Sequence, residues 1–201
     1  MNPLNQKALV FAMKAHEGQF RKDGKTPYIV HPIDVAERLS SWGLGRLADT
    51  LMSAAYLHDT LEDTDTQLWQ LAAEFGDEIA CLVDDVTFSG GSKSDKQAWL
   101  DGLAIGTSYA RLLKAADILC NTEDFINDGN PEYAIKYLHY ADKLMTSTRY
   151  MFNGIFDRDI ERIEMRVQRP IMETYSIKHK EPIVFYSLEM HGDKVGWPKK
   201  I

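Results

Sequence analysis

The sequence has few cysteines and no long apolar run, and both absences limit what the protein can be. Only two of its 201 residues are cysteine, and no CxxC spacing brings Cys81 and Cys120 together. We therefore expect two buried free thiols, not a disulfide or a zinc site. No window holds the roughly eighteen apolar residues of a membrane-spanning helix, and the N-terminus lacks a signal-peptide pattern. These features predict a cytosolic protein with no membrane partner.

An excess of positive charge is missing too. The chain has 23 Lys and Arg against 30 Asp and Glu, a formal net charge of -7, which disfavours general binding to nucleic acid. Its hydrophobic content of 44% excludes general disorder, and its length suits one domain with a substantial core. A polyanionic ligand would therefore need basic residues concentrated at one pocket. The sequence contains no internal repeat and predicts no particular oligomeric state.

The apolar periodicity is helical almost throughout and predicts an all-α fold of about eight to ten helices. Ser94 with Gln97 fits a capping box, and Asn130 before Pro131 fits a helix start. The connection at 88–93 contains two glycines and would frame or cover a pocket. Near the C-terminus, 182–188 has the composition of a short extended segment, and 191–201 reads as a surface arm. The predicted helices cover about 2–18, 32–42, 47–58, 66–75, 77–87, 95–106, 109–127 and 131–153.

Histidines and carboxylates stand at positions where they can meet. His58 continues the apolar stripe of Leu51, Ala54 and Ala55, so its side chain should point inward. Asp59 follows it directly. Together with His31 and Asp117 these residues offer two imidazoles and two carboxylates, a set that suits Mn, Fe or Zn better than Ca or Mg. The further acids Glu62 and Asp63 would make the cluster self-repelling unless a cation or a proton lay among them.

A second group of polar residues lies on one predicted helix. Lys114, Asp117 and Asn121 are spaced by three and four positions and share a helical face. A neighbouring stripe is apolar and should be core, so the polar face would be the wall of a site and not a solvated surface. That stripe consists of Leu112, Ala116, Leu119 and Cys120.

Each candidate also has a structural interpretation. His31 before Pro32 would cap a helix, Asp117 would pair with Lys114, and the acids at 62 and 63 would lie on a solvated loop. Residues 21–25 would form an exposed basic turn. His16 follows the stripe of Leu9 and Met13, which favours a hydrogen-bonded histidine in the core or beside the ligands over a ligand.

The motifs, taken together, resemble the HD-type hydrolase domain of the RelA/SpoT family, and in particular its small, hydrolase-only members. They occur in the family's order over roughly residues 4–150: AHEGQFRKDG at 15–24, PYIVHP at 27–32, LHDTLEDT at 57–64, VDDVT at 83–87 and KAAD at 114–117. The resemblance implies an all-α HD bundle and a manganese-dependent enzyme. The implied reaction removes the 3′-pyrophosphate of guanosine tetra- and pentaphosphate. The expected arrangement is a catalytic domain at 1–153, with 154–201 as a C-terminal helix and tail packing on the same domain.

The resemblance also assigns roles to residues. It implies that the metal ligands are His31, His58, Asp59 and Asp117, and that Glu62 and Asp63 position or activate the attacking water. It implies that substrate is bound by Arg21, Lys22, Lys114, Asn121 and Thr122. The chain departs from the family at Ala115 and Ile118, where leucine and a basic residue usually flank the aspartate, and the lost positive charge affects the phosphate geometry.

Two other functions fit the same residues. The first is another HD-type phosphohydrolase, such as a nucleotidase or a phosphatase of dNTPs or NADPH, and Ile118 and the C-terminal fifty residues keep this alternative open. The second is a binding module that senses or sequesters a nucleotide without turnover. Such a module would be expected to lack a ligand or the acidic pair, and here all six residues are present.

Overall fold

The structure, a computed structural model, describes residues 2–44, 48–146, 157–163, 165–166, 190–191 and 194–195. Over these ranges the fold is all-α, as predicted, with residues 157–163 also helical and one short antiparallel pair, β1 (Met190–His191) and β2 (Lys194–Val195). The predicted extended segment at 182–188 lies outside the described residues. The helices are α1 (Pro3–Ala15), α2 (Val30–Ser41), α3 (Ala48–Leu57), α4 (Thr60–Asp63), α5 (Leu68–Phe75), α6 (Asp77–Val86), α7 (Lys93–Ile105), α8 (Ser108–Asn127) and α9 (Pro131–Met145).

The chain divides into two compact units, Met1–Asp117 and Ile118–Ile201. All four predicted metal ligands belong to the first unit, and the boundary falls within α8. The predicted division into 1–153 and 154–201 stays a prediction, because most of the second segment lies outside the described residues. Among the described residues, no helix has the length and apolar character needed to cross a membrane.

Helix α3 is the centre of the first unit, since α1, α2 and α6 all pack against it. Small residues allow close packing: Ala8 and Ala12, one helical turn apart on α1, are fully buried. The buried Asn5 side chain connects α1 to α3 by donating to Asp49 Oδ1 at 3.3 Å and accepting from the Ser53 hydroxyl at 2.7 Å. Because this amide is satisfied on both sides, its burial is tolerated. Helix α3 therefore has a fixed position, and its C-terminal end carries His58.

In the second unit, α9 buries one face. Its buried residues recur with helical spacing at Ala134, Leu138, Ala141 and Met145. Glu123 on α8 accepts from the Arg162 guanidinium at 2.9 Å and from that of Arg166.

The apolar stripe predicted on α8 is confirmed, since Leu112, Ala116, Leu119 and Cys120 are all buried.

Several predicted helix starts are wrong by two residues. Helix α2 begins at Val30 and not at residue 32, so His31 and Pro32 both lie in its first turn. A proline is tolerated in the first turn of a helix. Helix α5 begins at Leu68 behind a Gln67–Gln70 capping box, and not at residue 66. Helix α7 begins at Lys93, because Ser92 and Asp95 form the capping box that was predicted at Ser94 and Gln97. The start at Pro131 is confirmed, although Asn130 makes no side-chain cap.

One cysteine prediction is also wrong. Cys120 is a buried free thiol as expected, but Cys81 is exposed. On α6 the buried positions are Ile79, Leu82, Val83 and Val86 together with Ala80. Cys81 lies off that face, and the apolar composition of the segment concealed the difference.

Candidate metal centre

Three separate parts of the first unit bring the candidate ligand atoms together. His31 comes from the first turn of α2, His58 and Asp59 follow the end of α3, and Asp117 lies on α8. Ligand atoms of His31, His58 and Asp117 all lie within 4.8 Å of one another. His31 Nε2 is 3.1 Å from Asp117 Oδ1, and His58 Nε2 is 3.0 Å from Asp59 Oδ2. All four residues are buried, as the sequence predicted for His58.

The local chain path explains why His58 and Asp59 face the same point. Helix α3 ends at Leu57, and the Thr60 hydroxyl donates to the Leu57 carbonyl at 2.7 Å. Asp59 then precedes the short helix α4, and its carbonyl accepts from the Asp63 N–H at 2.9 Å. Because α4 was not predicted, the sequence did not reveal that Asp59 and Asp63 are one helical turn apart.

The protonation pattern of His58 provides a test of whether a cation fits. Its Nδ1 lies 2.8 Å from the Ala55 carbonyl oxygen, which can only accept, so Nδ1 carries the hydrogen. The buried Nε2 has no hydrogen-bond partner among the described residues, yet it faces carboxylate oxygens of Asp59 and, at 3.8 Å, of Asp117. A neutral imidazole lone pair directed at two anionic oxygens is unfavourable unless a positive charge lies between them. These residues therefore fit a divalent metal ion.

The electrostatics of the cluster point the same way. Burial disfavours a charged His58, but the Asp59 and Asp117 carboxylates outweigh it and raise the pKa of His58 to about 9. Without a metal, a proton on Nε2 therefore supplies the positive charge that a divalent ion would replace. Burial likewise opposes ionisation of Asp117, yet Lys114 and the two histidines hold its pKa well below the usual range. Against the same penalty, His58 and His31 lower the pKa of Asp59. The carboxylates are thus anionic at neutral pH, as metal ligands must be.

Lys114 is brought to the site, where it contacts the predicted ligand Asp117. Its Nζ lies 2.8 Å from Asp117 Oδ2, and its side chain is only 12% exposed. The two oxygens of Asp117 therefore have different partners: Oδ1 faces His31 and Oδ2 faces the Lys114 ammonium. Trp99 lies beside this pair, with its ring centroid 5.0 Å from Nζ, and Phe88 packs on Trp99 at 5.5 Å. Neither aromatic residue stands in a polar motif, so no pattern in the sequence pointed to this aromatic wall.

The acidic pair lies at the surface beside the cluster. Both Glu62 and Asp63 are exposed, but each has a specific partner. The Phe88 N–H donates to Glu62 Oε2 at 3.2 Å, so the 88–93 connection begins beside this acid. That this connection frames or covers a pocket stays a prediction. Partial burial raises the pKa of Glu62, while Lys114 and the Phe88 N–H oppose the rise.

Tyr28 is a residue that sequence reasoning missed. Its hydroxyl lies 2.8 Å from Asp59 Oδ2 and 2.8 Å from Asp63 Oδ2. Burial and the two carboxylates raise the pKa of Tyr28, so its hydroxyl stays protonated and can donate. The signal that could have identified it is its place three residues before His31, whose N–H donates to the Tyr28 carbonyl at 3.0 Å.

The basic turn approaches the site through its first residue. The Arg21 guanidinium carbon lies 5.5 Å from the centroid of the Tyr28 ring, while Lys22 is exposed. The turn is ordered by Asp23, whose carboxylate accepts from the N–H groups of Lys25 and Thr26 and from the Thr26 hydroxyl. Arg21 is therefore held near the acidic residues even though the segment lies at the surface.

His16 is a buried neighbour of the site, in agreement with the preferred prediction. Its ring stacks on Tyr28 at 4.8 Å, and its Nδ1 lies 2.8 Å from Gln19 Oε1. The Gln19 amide in turn donates to the Asp63 carbonyl at 2.8 Å. His16 thus supports Tyr28 and α4.

The last two predicted substrate residues, Asn121 and Thr122, belong to the second unit. The buried Thr122 hydroxyl donates to the Ile118 carbonyl on its own helix at 2.7 Å. That bond uses the hydrogen of the hydroxyl and leaves its oxygen as an acceptor. Contact of either residue with substrate stays a prediction.

Comparison with known proteins agrees with this geometry. The chain matches the family model described as HD domain over residues 8–121, a range that contains all four candidate ligands. It is 37% identical over 162 residues to guanosine-3′,5′-bis(diphosphate) 3′-pyrophosphohydrolase MESH1 of Xenopus tropicalis, with 77% of this chain and 89% of that protein covered. A solved structure, described as a metazoan ortholog of SpoT that hydrolyses ppGpp and plays a role in starvation responses, is 26% identical. It superposes with a TM-score of 0.67, covering 81% of this chain and 94% of that one.

A longer relative is also similar. The guanosine-3′,5′-bis(diphosphate) 3′-pyrophosphohydrolase of Aquifex aeolicus is 46% identical over 207 residues. The alignment covers 93% of this chain but only 29% of the Aquifex protein. The similarity to that protein thus concerns less than a third of its length.

Proposed function

The chain belongs to the HD domain family, in the branch that contains the MESH1 proteins, and from this premise we propose that it is a 3′-pyrophosphohydrolase of ppGpp and pppGpp. The products are GDP or GTP and pyrophosphate, with one water consumed. The observation that carries the proposal is the buried His31, His58 and Asp117 cluster, with Asp59 in contact and an acidic pair beside it. We expect it to act in the cytoplasm on a free nucleotide, without a nucleic-acid or membrane partner.

The proposed metal ligands are His31, His58, Asp59 and Asp117, and the proposed ion is Mn²⁺. The mixture of imidazole nitrogens and carboxylate oxygens supports a transition metal over Ca²⁺ or Mg²⁺. When bound, a divalent ion neutralises phosphate charge and lowers the pKa of water. Lys114 holds Asp117 through the oxygen that faces away from His31, which keeps the other oxygen directed at the cluster.

Glu62 and Asp63 are the proposed catalytic acids. Glu62 would accept the proton of the attacking water at its carboxylate, and a pKa raised by partial burial brings this group closer to the working pH. Asp63 would orient the same water. Its carboxylate meets the Tyr28 hydroxyl, which also meets Asp59, so Asp63 lies close to a proposed ligand.

Arg21 is the first of the proposed substrate-binding residues, and it lies beside Tyr28, whose hydroxyl contacts Asp63. Arg21 would bind phosphate oxygens with two parallel N–H donors, a geometry that lysine lacks. Such donors act by being in place before charge develops in the transition state. The other members of the proposed substrate-binding set are Lys22, Lys114, Asn121 and Thr122.

A related activity is the second candidate. Ile118 replaces the family's usual basic residue and is buried, so the chain lacks one positive charge next to Asp117. This difference favours substrates with less phosphate charge, such as a nucleoside monophosphate, a dNTP or NADPH, handled by the same metal chemistry.

A product assay tests the proposal. The Mn²⁺-loaded protein is incubated with ppGpp, pppGpp, dNTPs, nucleoside monophosphates and NADPH in parallel, and pyrophosphate and phosphate are quantified separately. Pyrophosphate released from ppGpp, lost in Asp59→Ala and retained in the control variant Asp65→Asn, supports the proposal. Activity only on the other nucleotides supports the second candidate, and activity on none contradicts both.

A further inference from the structure

We propose that Tyr28 is a positioning residue, whose hydroxyl holds the Asp63 carboxylate beside the proposed metal ligand Asp59. The inference rests on the proposed function, because it concerns the same site, and it adds a residue to which the family resemblance assigned no role. Its basis is geometric: one phenol oxygen stands 2.8 Å from a carboxylate oxygen of each acid.

These distances place both contacts within the range of O–H···O hydrogen bonds. A phenol has a single hydrogen, so the Tyr28 hydroxyl donates to one carboxylate at a time while remaining close to the other. The separation of Asp59 Oδ2 and Asp63 Oδ2 therefore cannot exceed the sum of their two distances to the phenol oxygen. Two anionic groups so close repel each other, and a polar hydrogen between them reduces that repulsion. Without the hydroxyl, the exposed Asp63 side chain would rotate toward solvent.

The ring of Tyr28 is fixed independently of its hydroxyl. His16 stacks on one side at 4.8 Å, the Arg21 guanidinium lies 5.5 Å from the centroid, and His31 makes an edge contact at 6.2 Å. The Tyr28 N–H also donates to the Gln19 carbonyl at 3.0 Å. Phenylalanine at this position would therefore keep the ring in place, so Tyr28→Phe removes the hydroxyl alone.

The consequence for the site has two parts. A ligand carboxylate that accepts a second hydrogen bond is oriented toward its metal, and loss of such a bond typically weakens metal binding or activity about 10- to 100-fold. The catalytic part concerns Asp63, which needs a fixed position to orient water. The hydroxyl thus connects ligand geometry to water positioning, and its removal should affect both.

The first experiment measures Mn²⁺ affinity by calorimetry in the wild-type protein, in Tyr28→Phe and in the matched control Tyr56→Phe. Tyr56 is also a largely buried tyrosine of the first unit, 3% exposed, and the carboxylate that acts on its hydroxyl is that of Glu37. We expect about 10-fold or greater weakening in Tyr28→Phe and a change within about twofold in the control. An affinity for Tyr28→Phe within twofold of wild type overturns the proposal. Circular dichroism checks that the variants fold.

The second experiment is a double-mutant cycle on kcat at saturating Mn²⁺, with Tyr28→Phe, Asp63→Asn and the double variant. If Tyr28 acts through Asp63, Tyr28→Phe should lower the kcat of the wild-type protein about 10-fold with little change in KM. In the Asp63→Asn background, Tyr28→Phe should lower kcat by a much smaller factor. Effects that multiply independently overturn the connection. If wild-type protein does not hydrolyse ppGpp, the proposed function fails, whereas the Mn²⁺ titration still decides the role of Tyr28.

Discussion

The proposed metal ligands and the proposed substrate-handling residues of the first unit differ in how firmly the fold holds them. His31, His58, Asp59 and Asp117 are all buried at the end of α3 and against one another. Glu62, Asp63 and Lys22 are exposed, and Arg21 is half-buried. The exposed acids are held by single contacts from the Phe88 amide and the Tyr28 phenol. The positions of the proposed ligands thus depend on core packing, whereas those of the proposed catalytic acids depend on a few polar contacts at the surface.

The largest effect should come from a substitution of one of the buried proposed ligands. Asp117→Ala removes a proposed ligand and leaves the largely buried Lys114 without its carboxylate. We expect hydrolysis to fall by more than about 100-fold, beyond what loss of a supporting hydrogen bond costs. We also expect the free energy of unfolding to fall by about 3 to 5 kcal/mol. Denaturant unfolding and a metal-content measurement check this.

Asp117→Asn provides the control, since it keeps the shape and one oxygen acceptor for Lys114. It should lose activity with a smaller loss of stability. Equal stability of Asp117→Ala and wild type would contradict the importance of the Lys114 pair.

Substitution of an exposed proposed catalytic acid should lower turnover without changing metal affinity. Glu62→Gln removes the proposed proton acceptor without touching a ligand, so kcat should fall about 100-fold or more while Mn²⁺ affinity stays within about twofold. Steady-state kinetics and calorimetry on the same preparation separate the two quantities. Full activity in Glu62→Gln would assign the proton to Asp63 or to neither acid.

Arg21 should affect substrate binding more than turnover. Arg21→Ala removes a charged donor to phosphate, which should raise KM about 10-fold or more with a smaller change in kcat. Arg21→Lys keeps the charge but not the paired donors, and its KM should lie between those of the other two proteins. If Arg21→Lys and wild type have equal KM, the paired geometry is not used.

The smallest effect concerns the turn that carries Arg21. Three donors lower the pKa of Asp23 to about 2, the Thr26 hydroxyl first and then the N–H groups of Lys25 and Thr26. A lowered folded-state pKa means that the turn is stabilised at pH values above the ordinary carboxyl pKa, and that this stabilisation is lost as pH falls toward 2. Asp23→Ala should therefore raise KM about two- to threefold at neutral pH. Unchanged KM would show that Arg21 does not depend on the turn.

Much of the fold and the buried position of His58 could be predicted from the sequence, because both are recorded in local spacing. The period of the apolar residues predicted the helices, and the stripe through Leu51 and Ala54 placed His58 inside. Helix starts were less accurate, since several polar residues before α7 could cap it, and the cap is Ser92 with Asp95. Tyr28 was missed for another reason: its contacts with Asp59 and Asp63 join residues 31 and 35 positions apart. No local pattern encodes such contacts.

The contact between His31 and Asp117 spans 86 positions of the chain. A cation shared by these two side chains would act as a cross-link that closes this long loop, and the unfolded chain pays a large entropy to bring the same atoms together. The ion should consequently bind the folded first unit far better than the unfolded chain. The melting temperature would then rise with the logarithm of ion concentration, so heating curves alone would report how well each metal fits.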